Sequence, residues 1–367
     1  ATEKEKKRKQ KNKNTKNPIC NKYNTNPKKK IQKTVRTGIR MLDNVIDNNY
    51  YPIKEAETAN LRHRAIGLGM MGYQDCLYKL NMKFESEENL DFADESMEMV
   101  SYYAIQSSAE LAKERGTYES YKGSKWDQSL FPLDTLDLLE DSRGYKVNVN
   151  RDSRLDWDKL KSYVKKHGMR NSNTMAIAPT ATIANICGVY PCTEPAYKNI
   201  YMKENLSGNF VVLNVHLVDE LDRLGLWNDE FLRKIKLKNG SVQGIVGIPE
   251  HIQSKYKETF EITPDWVLRA ASLRSKWIDQ SASTNVFLDT KSGKIINDTY
   301  MMAWDLGLKT TYYLRSLGAT QVTKTADTEA VRANPTTDTT SEGSSDNNDL
   351  SEPKVCLLTD PDCEACQ

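Results

Sequence analysis

The chain has 367 residues, of which 38% are hydrophobic and 28% charged, and its formal net charge is +2. This composition allows a sizeable core and excludes a chain that is disordered throughout. No run of about 18 apolar residues occurs and the first residues lack an apolar segment, so the sequence predicts neither a membrane span nor a secretory signal. We therefore expect a cytoplasmic protein without a membrane partner.

Residues 1–35 form a basic segment, with thirteen Lys or Arg against two Glu and almost no apolar residues. Such a segment buries too little surface to offset the entropy of ordering, so we predict a disordered tail. A nucleic-acid-binding or partner-binding arm is one interpretation of its charge. A solvated extension without a specific partner is the interpretation we favour.

Residues 36–321 alternate between helical and strand-like patterns, which indicates a mixed α/β core arranged as a sheet or barrel. A basic turn followed by Gly168 predicts the end of one helix, and Thr263-Pro264 predicts the start of another. The predicted helices cover residues 39–46, 88–115, 156–166 and 263–280. The predicted strands cover Phe210–Asn214, Val242–Ile248, Asn285–Leu288 and Lys309–Leu314.

Residues 322–355 contain mainly Thr, Ser, Asp, Glu, Asn and Pro, which predicts a flexible linker. A random coil of this length spans roughly 30–35 Å. The linker leads to a redox-active tail, residues 356–367, that contains Cys356 and the pair Cys363 and Cys366. Two thiols on a mobile tether suit a shuttle that is oxidised in one place and reduced in another.

The spacing of the cysteines and histidines does not indicate a metal centre. Seven cysteines and four histidines are scattered along the sequence. Thiols in a large chain without an export signal are expected to be mostly reduced. The pair Cys363 and Cys366 lacks the second pair of ligands that a tetrahedral zinc site needs. We predict no metal site formed by this chain alone.

Two motifs suggest phosphate chemistry. Gly67, Gly69 and Gly72 match the G-x-G-x-x-G pattern of dinucleotide-binding proteins, but the preceding residues are basic and too few for the required strand. Close helix packing is the better explanation of these glycines. Residues 179–183, Pro-Thr-Ala-Thr-Ile, combine N-cap hydroxyls with free backbone N–H groups, so they form either an anion site or simply a well-capped helix.

Adjacent tyrosines occur three times, as Tyr312-Tyr313 and in two earlier pairs at 50–51 and 102–103. Most such residues pack in a core or across strands. A phenol has a pKa near 10, so it is protonated at neutral pH and carries a redox equivalent when its proton and electron leave together.

Nine motifs, in order, resemble the C-terminal part of the large (α) subunit of class I ribonucleotide reductase, in its eukaryotic-like branch. The resemblance covers about residues 36–321 and the last dozen. The motifs are Asp47-Asn-Asn-Tyr-Tyr-Pro52, Arg62-His-Arg64 with Ile66-Gly-Leu-Gly69, Leu111-Ala-Lys-Glu-Arg-Gly116-Thr-Tyr118, His167-Gly-Met-Arg-Asn-Ser172, Ala178-Pro-Thr-Ala-Thr182, Gly225-Leu-Trp227, Ile278-Asp-Gln-Ser281, Gly307-Leu-Lys-Thr-Thr-Tyr-Tyr-Leu-Arg315 and the terminal cysteine pair.

The resemblance implies the C-terminal portion of the ten-stranded α/β barrel of ribonucleotide reductases, with disordered N- and C-terminal tails. It implies a ribonucleoside-diphosphate reductase that makes deoxyribonucleotides by radical chemistry. The residues that match the loop holding the substrate phosphate are Pro179, Thr180, Ala181, Thr182 and Ile183. The family usually has a hydroxyl residue at the last of these positions, so backbone N–H groups with Thr180 and Thr182 would bind the phosphate.

The resemblance also implies roles for four redox residues. Tyr312 and Tyr313 match the pair that relays the radical, with Tyr313 nearer the small subunit and Tyr312 nearer the active-site cysteine. Cys363 and Cys366 match the thiols that reduce the active-site disulfide by exchange and are then reduced by thioredoxin or glutaredoxin. Cys356 is a weaker match.

The family's radical-bearing cysteine and its two ribose-reducing cysteines lie in an earlier part of the family sequence, and this chain has no counterpart of them. Cys187 and Cys192 lack the Asn-x-Cys-x-Glu context of the radical-bearing cysteine. We therefore expect a split large subunit, in which a separate N-terminal chain completes the barrel and a small (β) subunit supplies a diiron-tyrosyl radical. No cofactor is expected on this chain alone, and its other partners would be thioredoxin or glutaredoxin and the ribonucleotide.

Two other functions stay open. One is an inactive remnant or binding module that engages the small subunit without catalysis. The other is a basic-tailed nucleic-acid-binding protein, although the core contains no recognisable nucleic-acid-binding module. The tyrosine pair, the phosphate loop and the tail thiols argue against a remnant, because three distinct chemical functions are retained together.

Overall fold

A computed structural model describes residues 27–205, 208–290 and 292–316 of the chain. Helices dominate these residues, and short strands lie between them. The helices are α1 Pro27–Asn48, α2 Lys54–His63, α3 Tyr73–Lys79, α4 Glu87–Arg115, α5 Asp134–Arg143, α6 Trp157–His167, α7 Ala181–Cys187, α8 Val215–Arg223, α9 Asp229–Leu237, α10 Glu250–Lys255, α11 Pro264–Ser275 and α12 Gly293–Asp305. The strands are β1 Ile200–Asn205, β2 Gly208–Leu213, β3 Val286–Phe287 and β4 Leu314–Arg315.

Four extended segments, residues 66–68, 174–177, 280–288 and 312–315, lie side by side and form what we call the parallel sheet. Isolated parallel bridges join the first segment to the second and the second to the third. Strands β3 and β4 join the third to the fourth, also in parallel. The segments are neighbours in sequence order and helices occupy every crossover, an arrangement typical of α/β barrels.

The main hydrophobic cluster lies between the parallel sheet and the two long helices α1 and α4. Its buried members include Ile39 of α1, Met97 of α4 and Met175 of the sheet. Trp277, which is fully buried, stacks on Trp157 with ring centroids 5.3 Å apart. This packing covers one face of the sheet.

A second hydrophobic cluster packs helices α8, α9 and α10 against the segment that follows α7. Its members include Leu217, Ile235 and Ile252, all fully buried or nearly so. Beside it, β1 and β2 form an antiparallel hairpin with Met202 opposite Val211. The segment leading into the hairpin is therefore anchored on one side by this cluster.

Most of the periodic helices are confirmed. Helix α4 begins after Ser86, whose side chain accepts a hydrogen bond from Asn89 N. Helix α6 begins after Asp156, which caps it in the same way, and ends at His167 before Gly168. These boundaries agree with the sequence because caps and periodic apolar residues are local signals.

The N-terminal boundary of the core was predicted too late. Helix α1 begins at Pro27, so residues 27–35 are helical and do not belong to a disordered tail. Pro is favoured at the start of a helix. Val35 is 6% exposed and Ile31 packs against the same cluster, one helical turn apart. The dense positive charge of residues 1–35 favours a disordered tail, but the apolar stripe that contains Ile31 and Val35 indicates a packed helix. Residues 1–26 lie outside the described residues.

The predicted strand Val242–Ile248 is wrong, since these residues form turns. Gly244 and Gly247 have φ values of 63° and 98°, which interrupt an extended backbone. The turns bring Val242, Ile245 and Ile248 into one cluster, whereas the first two would face opposite sides of a strand. An apolar run of this length resembles a strand whether or not its backbone is extended.

Three smaller predictions also need correction. The helix that begins at Pro264 ends at Ser275 rather than near 280, because residues 279–280 already bond to the sheet at Thr174 and Met175. Strand pairing in the predicted strand 309–314 begins only at its last residue. Gly67 and Gly69 allow a close approach of two sheet segments rather than helix packing, since a β-carbon on either would lie within 2.8 Å of Ala176 atoms.

Candidate functional site

The loop Pro179–Ile183 follows the second segment of the parallel sheet and leads into α7. Its turn is made at Thr180, which occupies the N-cap position of α7 with φ 51° in the left-handed region. The N–H groups of Ala181, Thr182 and Ile183 donate to no acceptor among the described residues, whereas Ala184 N donates to Thr180 O at 3.0 Å. Three free N–H groups therefore point out of one turn of backbone.

Cys192 holds this loop through two hydrogen bonds. Its N–H donates to Thr180 Oγ1 at 2.8 Å, and its thiol donates to the carbonyl oxygen of Ala178 at 2.7 Å. The side chain is 1% exposed, and this burial raises the pKa of the thiol. The thiol is therefore held protonated, and it acts as a hydrogen-bond donor that fixes the loop.

The Thr180 hydroxyl is consequently engaged within the protein. It accepts the Cys192 N–H and also lies 3.5 Å from the Cys192 sulfur. Its predicted role as a direct phosphate ligand stays a prediction, and in this conformation the hydroxyl shapes the loop. The groups left facing outward are the three N–H groups and the exposed Thr182 and Ile183 side chains.

Tyr312 and Tyr313 form a hydrogen-bonded pair with mutually tilted rings at the fourth segment of the sheet. Their ring centroids lie 3.9 Å apart, and the Tyr312 hydroxyl donates to the Tyr313 hydroxyl at 3.0 Å. This hydrogen bond, in which Tyr312 is the donor, raises the pKa of Tyr312 and so favours its protonated form. The two side chains are 47% and 43% exposed. The Arg315 guanidinium lies 4.8 Å from the Tyr313 ring centroid.

The loop and the tyrosine pair are joined by contacts across the third segment of the sheet. The Cys192 sulfur lies 3.8 Å from Ser283 Oγ. The next residue, Thr284, accepts the Tyr312 N–H at 2.8 Å. One stretch of the third segment therefore contacts both the predicted radical relay and Cys192, the residue that holds the predicted phosphate loop.

The remaining predicted site residues are not described. Cys363 and Cys366, with Cys356, lie outside the described residues, so their role stays a prediction. Within residues 27–205, 208–290 and 292–316, no three His, Cys, Asp or Glu side chains form a group that could hold a metal ion. In those ranges, no helix is long and apolar enough to cross a membrane.

Three residues at this site were missed as functional candidates: Cys192, Glu194 and Asn285. Glu194 accepts the Asn285 N–H at 3.2 Å, and Asn285 Oδ1 accepts the Tyr313 N–H at 3.1 Å. The contacts join residues that lie 28 and 91 positions apart, so no short motif could reveal them. The one weak signal was that Asn285 directly precedes the apolar run Val286–Leu288.

Comparison with known proteins places this geometry in a family. Residues 17–314 match the family model described as "Ribonucleotide reductase, barrel domain". The chain is 52% identical over 297 residues to the ribonucleoside-diphosphate reductase subunit alpha of Chlamydia muridarum, which covers 80% of this chain and 28% of that protein. It is 41% identical over 316 residues to the large subunit of the Trypanosoma brucei brucei enzyme, covering 84% and 37% of the two.

A solved structure agrees with the sequence comparisons. The alpha subunit of the Actinobacillus ureae class Id ribonucleotide reductase superposes with a TM-score of 0.60 at 26% identity, covering 78% of this chain and 46% of that chain. The predicted resemblance and the predicted barrel fold are thereby confirmed. The chain spans 28% to 46% of the length of these three relatives.

Proposed function

Because this chain belongs to the ribonucleotide reductase barrel-domain family and matches the C-terminal part of the large subunit, we propose that it acts in the reduction of ribonucleoside diphosphates to deoxyribonucleotides by a class I enzyme. The names of its relatives specify diphosphates, which supports that choice of substrate. The observation that carries the proposal is the hydrogen-bonded pair Tyr312 and Tyr313, anchored on the sheet segment that also contacts Cys192, which in turn bonds to Thr180 of the loop.

The loop 179–183 binds the substrate phosphate in this proposal. Its three free N–H groups are consecutive and directly follow the turn at Thr180, so they are available to an anion. Thr182 adds an exposed hydroxyl, while Ile183 adds none, so the backbone provides most of the donors. Cys192 and Thr180 keep the donors oriented before the substrate arrives, which lowers the entropic cost of binding.

The tyrosine pair relays an oxidising equivalent in this proposal. Tyr313 receives it from the small subunit and Tyr312 passes it to the active-site cysteine, each transfer moving one electron and one proton together. The 3.0 Å bond between the hydroxyls is short enough for the proton to move directly between the two oxygens. A diiron-tyrosyl radical in the small subunit would supply the oxidising equivalent.

Two further elements of the reaction lie beyond the described residues. Cys363 and Cys366 would carry electrons from thioredoxin or glutaredoxin to the active-site disulfide by thiol exchange. The cysteines that react with the ribose would come from the remaining large-subunit sequence, on a longer polypeptide or a second chain. In the described residues, segments 66–68 and 312–315 each have a sheet neighbour on one side only, so both edges can accept further strands.

Substitution of the tyrosine hydroxyls tests the proposal. In the complete enzyme, Tyr312→Phe and Tyr313→Phe keep the rings and remove the transferable protons, so deoxyribonucleotide formation is expected to fall below detection. Tyr103→Phe is the matched control, since it belongs to another adjacent tyrosine pair, with ring centroids 5.5 Å apart on α4. Full turnover in either relay variant would contradict the proposal and favour a non-catalytic binding module.

A further inference from the structure

The geometry of the tyrosine pair conflicts with an ordinary strand. Successive side chains of a strand point to opposite faces, yet the rings of Tyr312 and Tyr313 lie 3.9 Å apart and share a hydrogen bond. Regular pairing starts only at Leu314. The backbone at the pair is therefore irregular, and some part of the protein has to stabilise that irregularity.

The hydrogen bonds of the backbone N–H groups show how the irregular backbone is stabilised. In a regular parallel ladder, consecutive N–H groups point alternately to the two sides of the strand. Here Tyr312 N donates to Thr284 O at 2.8 Å and Tyr313 N donates to Asn285 Oδ1 at 3.1 Å, so both point to the same neighbour. The Asn285 side chain thus supplies an acceptor that the regular ladder lacks.

Asn285 is itself held in place by Glu194. The Glu194 carboxylate accepts the Asn285 N–H at 3.2 Å, and Asn285 is only 8% exposed. Burial raises the pKa of Glu194, while the bonds from Asn285 and the charges of Arg315 and Arg274 act in the opposite direction. A partly buried carboxylate with this set of neighbours is a fixed acceptor rather than a solvated surface group.

We propose that Asn285 and Glu194 are positioning residues that hold the two phenols on one side of the strand, within hydrogen-bonding distance of each other. The kinetic part of this inference rests on the proposed relay function. Both residues act through the backbone of Tyr313. The Glu194 carboxylate holds Asn285, and the amide oxygen of Asn285 holds the backbone that presents the two phenols.

The first test separates rate from binding. In the complete enzyme, Asn285→Ala and Glu194→Ala are expected to lower kcat by about 100-fold, the typical cost of misplacing reacting groups by about 1 Å, with KM for the nucleotide changed less than about twofold. Glu194→Gln retains a carbonyl oxygen that accepts the Asn285 N–H, so it is expected to restore most of the turnover. Asn228→Ala, which removes an amide that caps α9, is the control.

The second test measures position directly. Crystal structures of the large subunit are expected to show the two phenol oxygens beyond hydrogen-bonding distance in Asn285→Ala and still bonded in Glu194→Gln and Asn228→Ala. Unchanged oxygen positions in Asn285→Ala would overturn the inference. Separated oxygens with unchanged kcat would overturn its kinetic part. A Glu194→Gln variant as slow as Glu194→Ala would overturn the acceptor role of Glu194.

These outcomes are distinct from failure of the relay itself. If Tyr312→Phe is fully active, the proposed function fails, and the oxygen positions alone decide whether Asn285 and Glu194 hold the pair. If Tyr312→Phe is inactive while Asn285→Ala retains both kcat and geometry, the relay stands and the positioning inference fails.

Discussion

Replacing Glu258 by Gln should stabilise the protein at neutral and alkaline pH. Glu258 is 6% exposed, and its carboxylate accepts the Asn199 N–H at 2.8 Å. Burial raises the pKa of Glu258 from 4.5 to about 7, which outweighs the opposing effect of the Asn199 bond, and the nearby Glu261 charge also raises it. The folded state therefore retains a proton that the unfolded state has already lost.

The size and sign of the effect follow from these pKa values. Between pH 4.5 and about 7 the folded state binds more protons, so stability falls as pH rises through this window and is constant above it. Each pH unit between the two pKa values corresponds to about 1.4 kcal/mol. The ionised carboxylate thus costs at most about 3.5 kcal/mol above pH 7, and Gln removes that cost while its carbonyl still accepts the Asn199 N–H.

Hydrogen exchange of the peptide containing Asn199, compared with the wild type at each pH, measures this difference locally. We expect no difference near pH 4.5 and increasing protection of the variant up to pH 8. Glu230→Gln is the control, because Glu230 is exposed and its bond with Lys234 lowers its pKa. A pH-independent difference in Glu258→Gln, or lower protection at pH 8, would refute the reasoning.

Three other substitutions test separate parts of the structure. Gly69→Ala places a β-carbon 2.6 Å from a carbonyl oxygen of the neighbouring sheet segment and should cost about 1–3 kcal/mol in urea unfolding, whereas Gly293→Ala meets no atom within 4 Å and should be neutral. Asp94→Ala leaves the 4%-exposed Lys276 without its carboxylate and should cost about 3–5 kcal/mol; a loss under about 1 kcal/mol would contradict this. Thr180→Val removes the hydroxyl that braces the phosphate loop, so the nucleotide KM should rise about tenfold with little change in kcat; an unchanged KM would show that the brace is dispensable.

The sequence predicted those parts of the fold that depend on local chemistry. Helix α6 was found at both ends because Asp156 caps its first turn and Gly168 follows its last. The strand predicted at 242–248 failed because glycines at positive φ turned the chain, and apolar content alone does not reveal backbone direction. The start of α1 was missed because its many charged residues outweigh the buried apolar residues, which recur only every fourth position.

At the site, too, local motifs can be predicted from the sequence and tertiary contacts cannot. The loop 179–183 and Tyr312-Tyr313 can be predicted as site residues because each is a contiguous motif. Glu194 and Asn285 were not, because their contact spans 91 positions and depends on two sheet segments being adjacent. Likewise, the engagement of the Thr180 hydroxyl by Cys192 is a tertiary contact that a capping motif does not reveal.

The short segment from Cys192 to Glu194 supports both the predicted phosphate loop and the predicted tyrosine relay. Cys192 fixes the phosphate loop through Thr180, and two positions later Glu194 fixes Asn285 and thereby the Tyr313 backbone. Three consecutive residues span less than about 11 Å of chain, so the loop and the relay share one rigid support. Because that support is largely buried and held by hydrogen bonds at both ends, it orients the N–H groups of the loop and the two phenols without a bound molecule. Under the proposed function, this short span aligns phosphate binding with radical transfer in a single sheet.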